Sequence, residues 1–328
     1  MSERPGSTKM PRNRSWRYAM ILLGFVGLSA STSPAFSQQR LTDNVEADPA
    51  QAVFVFEDIK RFLEALGAIE RGLDPEEALR SIYFDRASPG LKLFVEKYDL
   101  GPARLAKAMA EHPEAYERIP SVLQALKGNV PSFQQAYRGI AAILPDAVFP
   151  PTYFVVAGHR GIGSGSTEGP LVSIEKHTAA TVTDIVPTLV HEMIHMQQLA
   201  AVGEAYFEIF SGPGRTLLAL SIREGAATFF AEVIAGGSKH KNEARAYLAE
   251  HEAELWDAFQ QDMLGGETGD WLWKKPENPE QPQDMGYAVG ARIVEVYYEN
   301  AADKRNAASK VMAITDYSAF LQDSGYAP

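Results

Sequence analysis

The chain has 328 residues, a formal net charge of −11 and no cysteine. Hydrophobic residues make up 45% and charged residues 22% of it, a composition typical of a packed globular protein rather than a disordered or collagen-like one. The lack of cysteine excludes disulfides, thiol catalysis and thiolate metal ligands. The acidic balance argues against a nucleic-acid partner, because phosphate binding requires clustered lysine and arginine.

The first 37 residues have the pattern of an export signal. A mainly basic start precedes an apolar stretch from Ala19 to Ala30, and small residues follow at Ala35 and Ser37. The apolar stretch is shorter than the ~20 residues that span a bilayer, so a retained anchor is the less favoured alternative. We therefore expect residues 1–37 to be a cleaved signal peptide. The mature protein would be periplasmic or secreted, with no stable membrane anchor.

Residues 38–150 show helical periodicity. From Val53 onward, apolar residues that include Phe54 recur at spacings of three and four, with breaks at proline or glycine. Asp74-Pro75-Glu76-Glu77 has the cap, the first-turn proline and the first-turn acids of a helix start. Further helices are predicted to begin near Pro89, Pro102, Pro113 and Pro131. The sequence therefore predicts a helical N-terminal half.

The pattern changes at the start of the second region, residues 151–328. Tyr153–Ala157 and Leu171–Ile174 are short apolar runs that predict strands. Between them, Gly158–Gly169 is rich in glycine, and no helix follows its Gly-Ile-Gly to continue a dinucleotide-binding fingerprint. We expect either a flexible hairpin connection or a loop that faces a substrate.

The rest of the second region is predicted to be helical again, apart from a surface loop at Trp271–Asp284. The expected helices are Pro187–Val202, Thr216–Ala235, Asn242–Leu264, Gly286–Asn300 and Tyr317–Asp323. The predicted fold class is α+β, mostly helical, with a small sheet before the helix that carries the next motif.

One segment, His191-Glu192-Met-Ile-His195, has the pattern of a metal site. Histidines four residues apart lie on one helix face, so both imidazoles can bind one ion. Glu192 lies close to the same site and can take a proton from water. Imidazole and carboxylate ligands suit a zinc ion that keeps one position for water. The motif predicts one Zn²⁺ per chain; two core histidines without a metal are the alternative.

The third ligand must come from another segment, because Gln198 and Ala201 occupy the positions where an extended form of the motif has glycine and histidine. Glu224 follows His195 by 29 residues, and the small residues after it would let two helices approach closely. Thr228, one turn later, could support a ligand imidazole. The rival ligands are Glu232 and, less favoured, Asp184, Glu204 and Glu208.

Hydrolysis of an amide also requires a donor to the oxyanion that forms. Tyr287 is flanked by Gly286 and Gly290, which permit close approach, and Arg292 follows as a second candidate donor. For both residues, packing is the alternative role. His159 and His177 could line the cleft from the side of the sheet, although a structural role, with the hydrogen bonds of the side chain satisfied, is favoured for each.

The combination of His191-Glu192-x-x-His195 with Glu224-Gly-x-Ala resembles the gluzincin clan of zinc metallopeptidases. More narrowly, it is similar to predicted zinc-dependent peptidase domains related to bacterial gliding-motility lipoproteins. Weaker similarity lies in Phe56–Phe62, Tyr83–Phe94, Gly286–Gly290 and Phe320–Tyr326.

The resemblance implies a zincin-like core with His191, His195 and Glu224 as zinc ligands and Glu192 as general base. It also implies a downstream Tyr or His at the oxyanion and an edge strand that pairs with an extended peptide, a role that Leu171–Ile174 could fill. Two departures are visible: Thr228 stands where better-studied gluzincins often have an acid, and the anchoring cysteine of the lipoprotein relatives is missing.

We therefore expect an exported zinc metallopeptidase whose partner is a peptide or protein substrate. Two alternatives remain: a catalytically weak or inactive zinc-binding protein of the cell envelope on the same scaffold, and a zinc hydrolase of a non-peptide amide.

Overall fold

The computed structural model describes residues 41–159, 163–212 and 214–328, which belong to one compact unit. The predicted signal peptide, residues 1–37, lies outside these described residues. The unit is mostly helical with a small mixed sheet, which confirms the predicted α+β class. In these ranges, no helix has both the length and the apolar character needed to cross a membrane.

Short helices make up the N-terminal half, and several begin at the predicted prolines. They are α1 (Glu57–Glu70), α2 (Pro75–Ala78), α3 (Pro89–Tyr98), α4 (Pro102–Glu111), α5 (Pro113–Glu117), α6 (Ile119–Gly128) and α7 (Val130–Ile143). A π-helical segment, Leu79–Phe84, continues α2. The Asp74 carboxylate accepts a hydrogen bond from the backbone N–H of Glu77 at 3.0 Å, as its capping pattern predicts.

The sheet has four strands within the described ranges: β1 (Phe54–Val55), β2 (Thr152–Val155), β3 (Gly163–Ser164) and β4 (Leu171–Ser173). Their spatial order is β1-β2-β4-β3, and only β3 runs antiparallel to its neighbour. Because β2 and β4 are parallel, the predicted hairpin between them is wrong. The connection instead contributes β3.

Two further predictions, one about a helix start and one about the edge of the sheet, are wrong. The helix assigned from Val53 begins only at Glu57, because Phe54 pairs with Thr152 across the sheet and its ring packs on Tyr137 at 5.5 Å between centroids. Leu171–Ile174 does not provide an edge strand, since β4 lies between β2 and β3. Among the described residues, β3 lies at that edge.

The C-terminal half contains the longest helices. They are α8 (Val186–Val202), α9 (Ala205–Ser211), α10 (Leu217–Ala235), α11 (Lys239–Glu250), α12 (Glu252–Asp262), α13 (Met285–Asn300), α14 (Lys304–Met312) and α15 (Tyr317–Ser324). The single helix predicted for Asn242–Leu264 is in fact two, with His251 between them at φ −126°. No proline or glycine marks that break in the sequence, and α9 and α14 were not predicted.

Helices α8, α10 and α13 pack side by side and form the core of this half. A Cβ atom on Gly225 would lie 2.1 Å from the carbonyl carbon of Gly290, and one on Gly290 would lie 1.8 Å from the Ser221 oxygen. Gly225, directly after Glu224, therefore allows α10 to approach α13 closely, and α10 also packs against α8. This backbone contact brings Tyr287 of α13 towards Glu224 of α10.

Gly290→Ala is expected to destabilise the protein by about 3 kcal/mol, the upper end for overpacking, because the new methyl group would collide with backbone atoms that cannot rotate away. Urea unfolding followed by circular dichroism measures the change. Gly128→Ala is the matched control, since no heavy atom lies within 4 Å of its added Cβ. Equal stability of the two variants would contradict the close helix contact.

Candidate metal centre

Helix α8 holds the predicted metal motif, and it begins at Val186-Pro187 as its sequence indicates. The flanking apolar side chains Leu189, Val190, Met193 and Ile194 are fully buried. They fix the rotation of the helix, so that His191, Glu192 and His195 are directed towards α10 and β3 rather than towards solvent.

The three predicted ligands converge on one point. His191 Nε2 lies 3.3 Å from Glu224 Oε2, His195 Nε2 lies 3.2 Å from the same oxygen, and the two Nε2 atoms are 3.2 Å apart. Tetrahedral coordination with metal–ligand bonds of ~2.0–2.1 Å requires ligand atoms about 3.3 Å apart. Within the described ranges, this is the one cluster of three such side chains close enough to hold an ion. The residues present therefore fit a zinc ion.

The hydrogen bond of His195 to Gln198 fixes how its imidazole can bind. His195 Nδ1 lies 2.8 Å from Gln198 Oε1, and Gln198 Nε2 donates to the backbone oxygen of Arg223 at 3.1 Å. An amide oxygen can only accept, so Nδ1 carries the proton and neutral His195 presents a lone pair at Nε2. That lone pair faces a carboxylate oxygen, an arrangement that favours a bound cation.

The electrostatics of the cluster show that Glu224 favours positive charge at the two histidines. Burial opposes the charged forms of Glu224 and His195, but their mutual attraction prevails. The pKa of Glu224 is therefore held well below its usual value, and the pKa of His195 is raised. Glu224 is 8% exposed and His195 4%, so little solvent screens the pair.

Gln198→Met is expected to weaken zinc affinity about 10–100-fold, because it removes the acceptor that orients His195 while keeping a side chain of similar length. Competition with a chromophoric chelator measures the affinity. Gln197→Met is the matched control, since Gln197 bonds to the backbone of Val148 and not to a ligand. An unchanged affinity in the Gln198 variant would contradict the orienting role.

Glu192 lies between the ligand cluster and strand β3. A Cβ atom on Gly163 would lie 2.5 Å from Glu192 Oε1, so the carboxylate fits only because β3 has glycine there. Burial raises the pKa of Glu192, while His191 and His195 lower it to a smaller extent. A carboxylate with increased proton affinity beside the ligand cluster is suited to accept a proton from water.

Tyr287 packs against His191. The two rings are 6.1 Å apart between centroids, and the Tyr287 hydroxyl accepts a hydrogen bond from Trp273 Nε1 at 2.9 Å. The hydroxyl proton remains available for donation. Burial raises the pKa of Tyr287 well above its usual value, and Glu224 adds to the effect, so the phenol stays protonated.

The structure places the rival candidates elsewhere. Glu232 Oε2 lies 3.3 Å from Arg245, and Arg292 bonds to Glu252 and Glu295 at 2.9 and 2.8 Å. Glu232 is therefore outside the ligand cluster, and the Arg292 guanidinium is held in an ion-pair network instead of facing the site. Asp184, Glu204 and Glu208 do not belong to the cluster either.

The predicted support of a ligand imidazole by Thr228 is wrong. Thr228 Oγ1 is buried and has no hydrogen-bond partner among the described residues, whereas Gln198 makes the supporting bond. Sequence reasoning treated Gln198 only as a missing glycine. Its spacing of three residues from His195 on the same helix was the signal that could have identified it.

The two histidines near the sheet lie outside the ligand cluster. His159 packs against His112 at 4.2 Å between ring centroids, and His177 accepts a hydrogen bond from Arg118 at its backbone oxygen. The Nε2 atom of each ring is buried and has no hydrogen-bond partner among the described residues, so the expectation of satisfied structural histidines is not borne out.

One further residue near the site was missed by sequence reasoning. Lys241, in the first turn of α11, has its Nζ atom 3.2 Å from the centroid of the Tyr287 ring and 3.5 Å from Asp284 Oδ2. The local sequence, Lys239-His-Lys241, reads as an ordinary solvated helix start and contains no signal for this position.

Comparison of the chain with protein-family models, with curated proteins and with solved structures finds no match in any of the three.

Proposed function

We propose that this protein is a zinc metallopeptidase, built on a zincin-like core, that hydrolyses peptide bonds after export from the cytoplasm. The observation that carries the proposal is the convergence of His191, His195 and Glu224 at separations that suit tetrahedral zinc. Glu192 and Tyr287, which lie beside this cluster, supply an acceptor and a donor of protons.

The chain's own side chains have distinct tasks in this reaction. Zinc, when bound, polarises a carbonyl and lowers the pKa of water to about 7. Glu192 accepts the proton of the attacking water at its carboxylate and delivers it to the nitrogen of the leaving amine. Tyr287 donates its phenolic hydrogen to the oxygen of the former carbonyl, where negative charge develops.

Strand β3 is the better candidate for the edge that holds an extended substrate. It lies at the end of the sheet, runs antiparallel to β4, and its Gly163 packs against Glu192. A peptide added along such an edge would gain main-chain hydrogen bonds next to the general base.

The proposal is tested by incubating the zinc-loaded mature chain with a broad peptide library and identifying new termini by mass spectrometry. Cleavage that is abolished by a chelator and restored by zinc is the expected result. Absence of cleavage, with a melting temperature that zinc raises, would instead favour a zinc-binding envelope protein. Hydrolysis of simple amides but not of peptides would favour a non-peptide amidase.

A further inference from the structure

A small cavity opens beside the metal cluster, between α8, α10 and the start of α11. Its lining includes the ligand His191 together with Thr188, Thr228, Ser238 and Lys241. Its volume is about 40 Å³. A single water needs about 10–15 Å³, so the cavity has room for a group of about three non-hydrogen atoms. It is too small for a large side chain.

The polar groups around this cavity are donors that suit an anion. Ser238 caps α11, a helix of 12 residues, by accepting a hydrogen bond from the Lys241 backbone N–H. The positive end of the helix dipole therefore lies at the cavity wall. Thr228 is only 2% exposed, and its hydroxyl has no hydrogen-bond partner among the described residues. A buried hydroxyl of this kind requires a partner, which a ligand in the cavity would supply.

Lys241 adds an ammonium group, whose pKa is lowered by burial although Asp284 and Glu224 oppose that effect. Its side chain is 20% exposed, and the face of the Tyr287 ring lies on one side of the ammonium group. Asp284 stabilises the charge from 3.5 Å, a longer separation than the ~2.7–2.9 Å of a strong charge-assisted hydrogen bond. An ammonium group has three donors, so Lys241 retains capacity for a second anion.

We propose that this cavity, lined by Lys241, Thr228 and the N-terminal turn of α11, is a subsite that binds a carboxylate of the substrate next to the bond that is cleaved. The inference rests on the peptidase function proposed above and specifies its substrate class. A carboxylate in this position belongs either to the C-terminal residue, which makes the enzyme a carboxypeptidase, or to an acidic side chain. The chemistry is the same, and the two sources are separated by experiment.

The test is equilibrium binding, by isothermal titration calorimetry, of short peptides to the zinc-loaded full chain with Glu192→Gln, in which turnover is suppressed. Acetyl-trialanine with a free carboxylate is compared with its C-terminal amide. The free acid is expected to bind about 10–100-fold more tightly, the range for hydrogen bonds to a charged group. Equal dissociation constants for acid and amide would overturn the subsite.

Variants of the cavity identify the residues responsible. Lys241→Gln is expected to abolish the preference for the acid, and Thr228→Val to reduce it without changing the shape of the side chain. Lys239→Gln removes the same charge two residues earlier from a side chain that is 92% exposed, and is expected to keep the preference. A preference that survives both cavity substitutions would overturn the assignment, and Thr228→Val keeps the test decisive if the lysine variant fails to fold.

A second pair of peptides identifies the source of the carboxylate. If acetyl-Ala-Ala-Asp amide binds more tightly than its Asn counterpart, and Lys241→Gln removes this difference, the subsite binds acidic side chains. Preference for the free C-terminus alone assigns it to the terminal carboxylate. Lys241-dependent binding without hydrolysis by the wild-type chain would contradict the peptidase function but support the subsite. Hydrolysis without preference for an acid would support the peptidase function but contradict the subsite.

Discussion

Glu192→Gln is expected to lower kcat/KM for peptide hydrolysis by about 10²–10⁴-fold and to leave zinc content unchanged. Glutamine has nearly the same shape, so it can occupy the space beside Gly163, but its amide cannot accept and return a proton. The measurement is steady-state hydrolysis of a fluorogenic peptide, chosen from those that the wild-type protein cleaves, with metal analysis of the same preparations.

The matched control is Glu204→Gln, which removes the same charge from an exposed position near the end of α8. Its activity is expected to equal that of the wild type. If the Glu192 variant retained full activity with one zinc ion bound, Glu192 would not be the general base. Loss of activity together with loss of zinc would show that Glu192 acts through the metal site instead.

Glu224→Gln is expected to remove the single bound zinc ion, whereas Glu232→Gln retains it. Glutamine at position 224 eliminates the anionic ligand that lies 3.2–3.3 Å from both imidazole nitrogens, while Glu232 is paired with Arg245 outside the cluster. Elemental analysis of purified, dialysed proteins measures the ratio of zinc to chain. Loss of zinc in the Glu232 variant alone would contradict the ligand set.

The same two variants separate binding from stability. A ligand present at about 1,000 times its dissociation constant stabilises the folded state by about 4 kcal/mol. Added zinc should therefore raise the melting temperature of the wild type and of the Glu232→Gln protein, but not that of the Glu224→Gln protein. A zinc-induced shift of equal size in all three would show that the ion binds elsewhere.

Local sequence was sufficient to predict the features that interactions between near neighbours in the chain determine. The prolines that begin α2, α3, α4 and α5 predict their helix starts, because a first-turn proline costs no intrahelical hydrogen bond. The four-residue spacing of His191 and His195 places both imidazoles on one face of α8, because residues four apart lie one above the other on a helix. Glu224 was identified because the following small residues indicated a tightly packed helix.

Contacts between distant segments were the source of the errors. Phe54 has helical spacing in the sequence, yet it forms strand β1 because pairing with β2 and packing on Tyr137 outweigh local propensity. The break at His251 has no proline or glycine to announce it. The strand at the edge of the sheet is β3 and not the predicted Leu171–Ile174, since strand order depends on the whole topology.

The sequence by itself determined the chemistry that this protein has available. With no cysteine, a metal site must use histidine and carboxylate, and one motif with one later glutamate supplies three such ligands at workable spacing. The tertiary structure decided which groups surround those ligands. Gln198 rather than Thr228 orients His195, Arg292 is held in ion pairs, and Lys241 lies over the Tyr287 ring. The last two of these choices depend on how helices pack across the chain, which residue spacing cannot encode because those contacts join segments that are far apart in sequence.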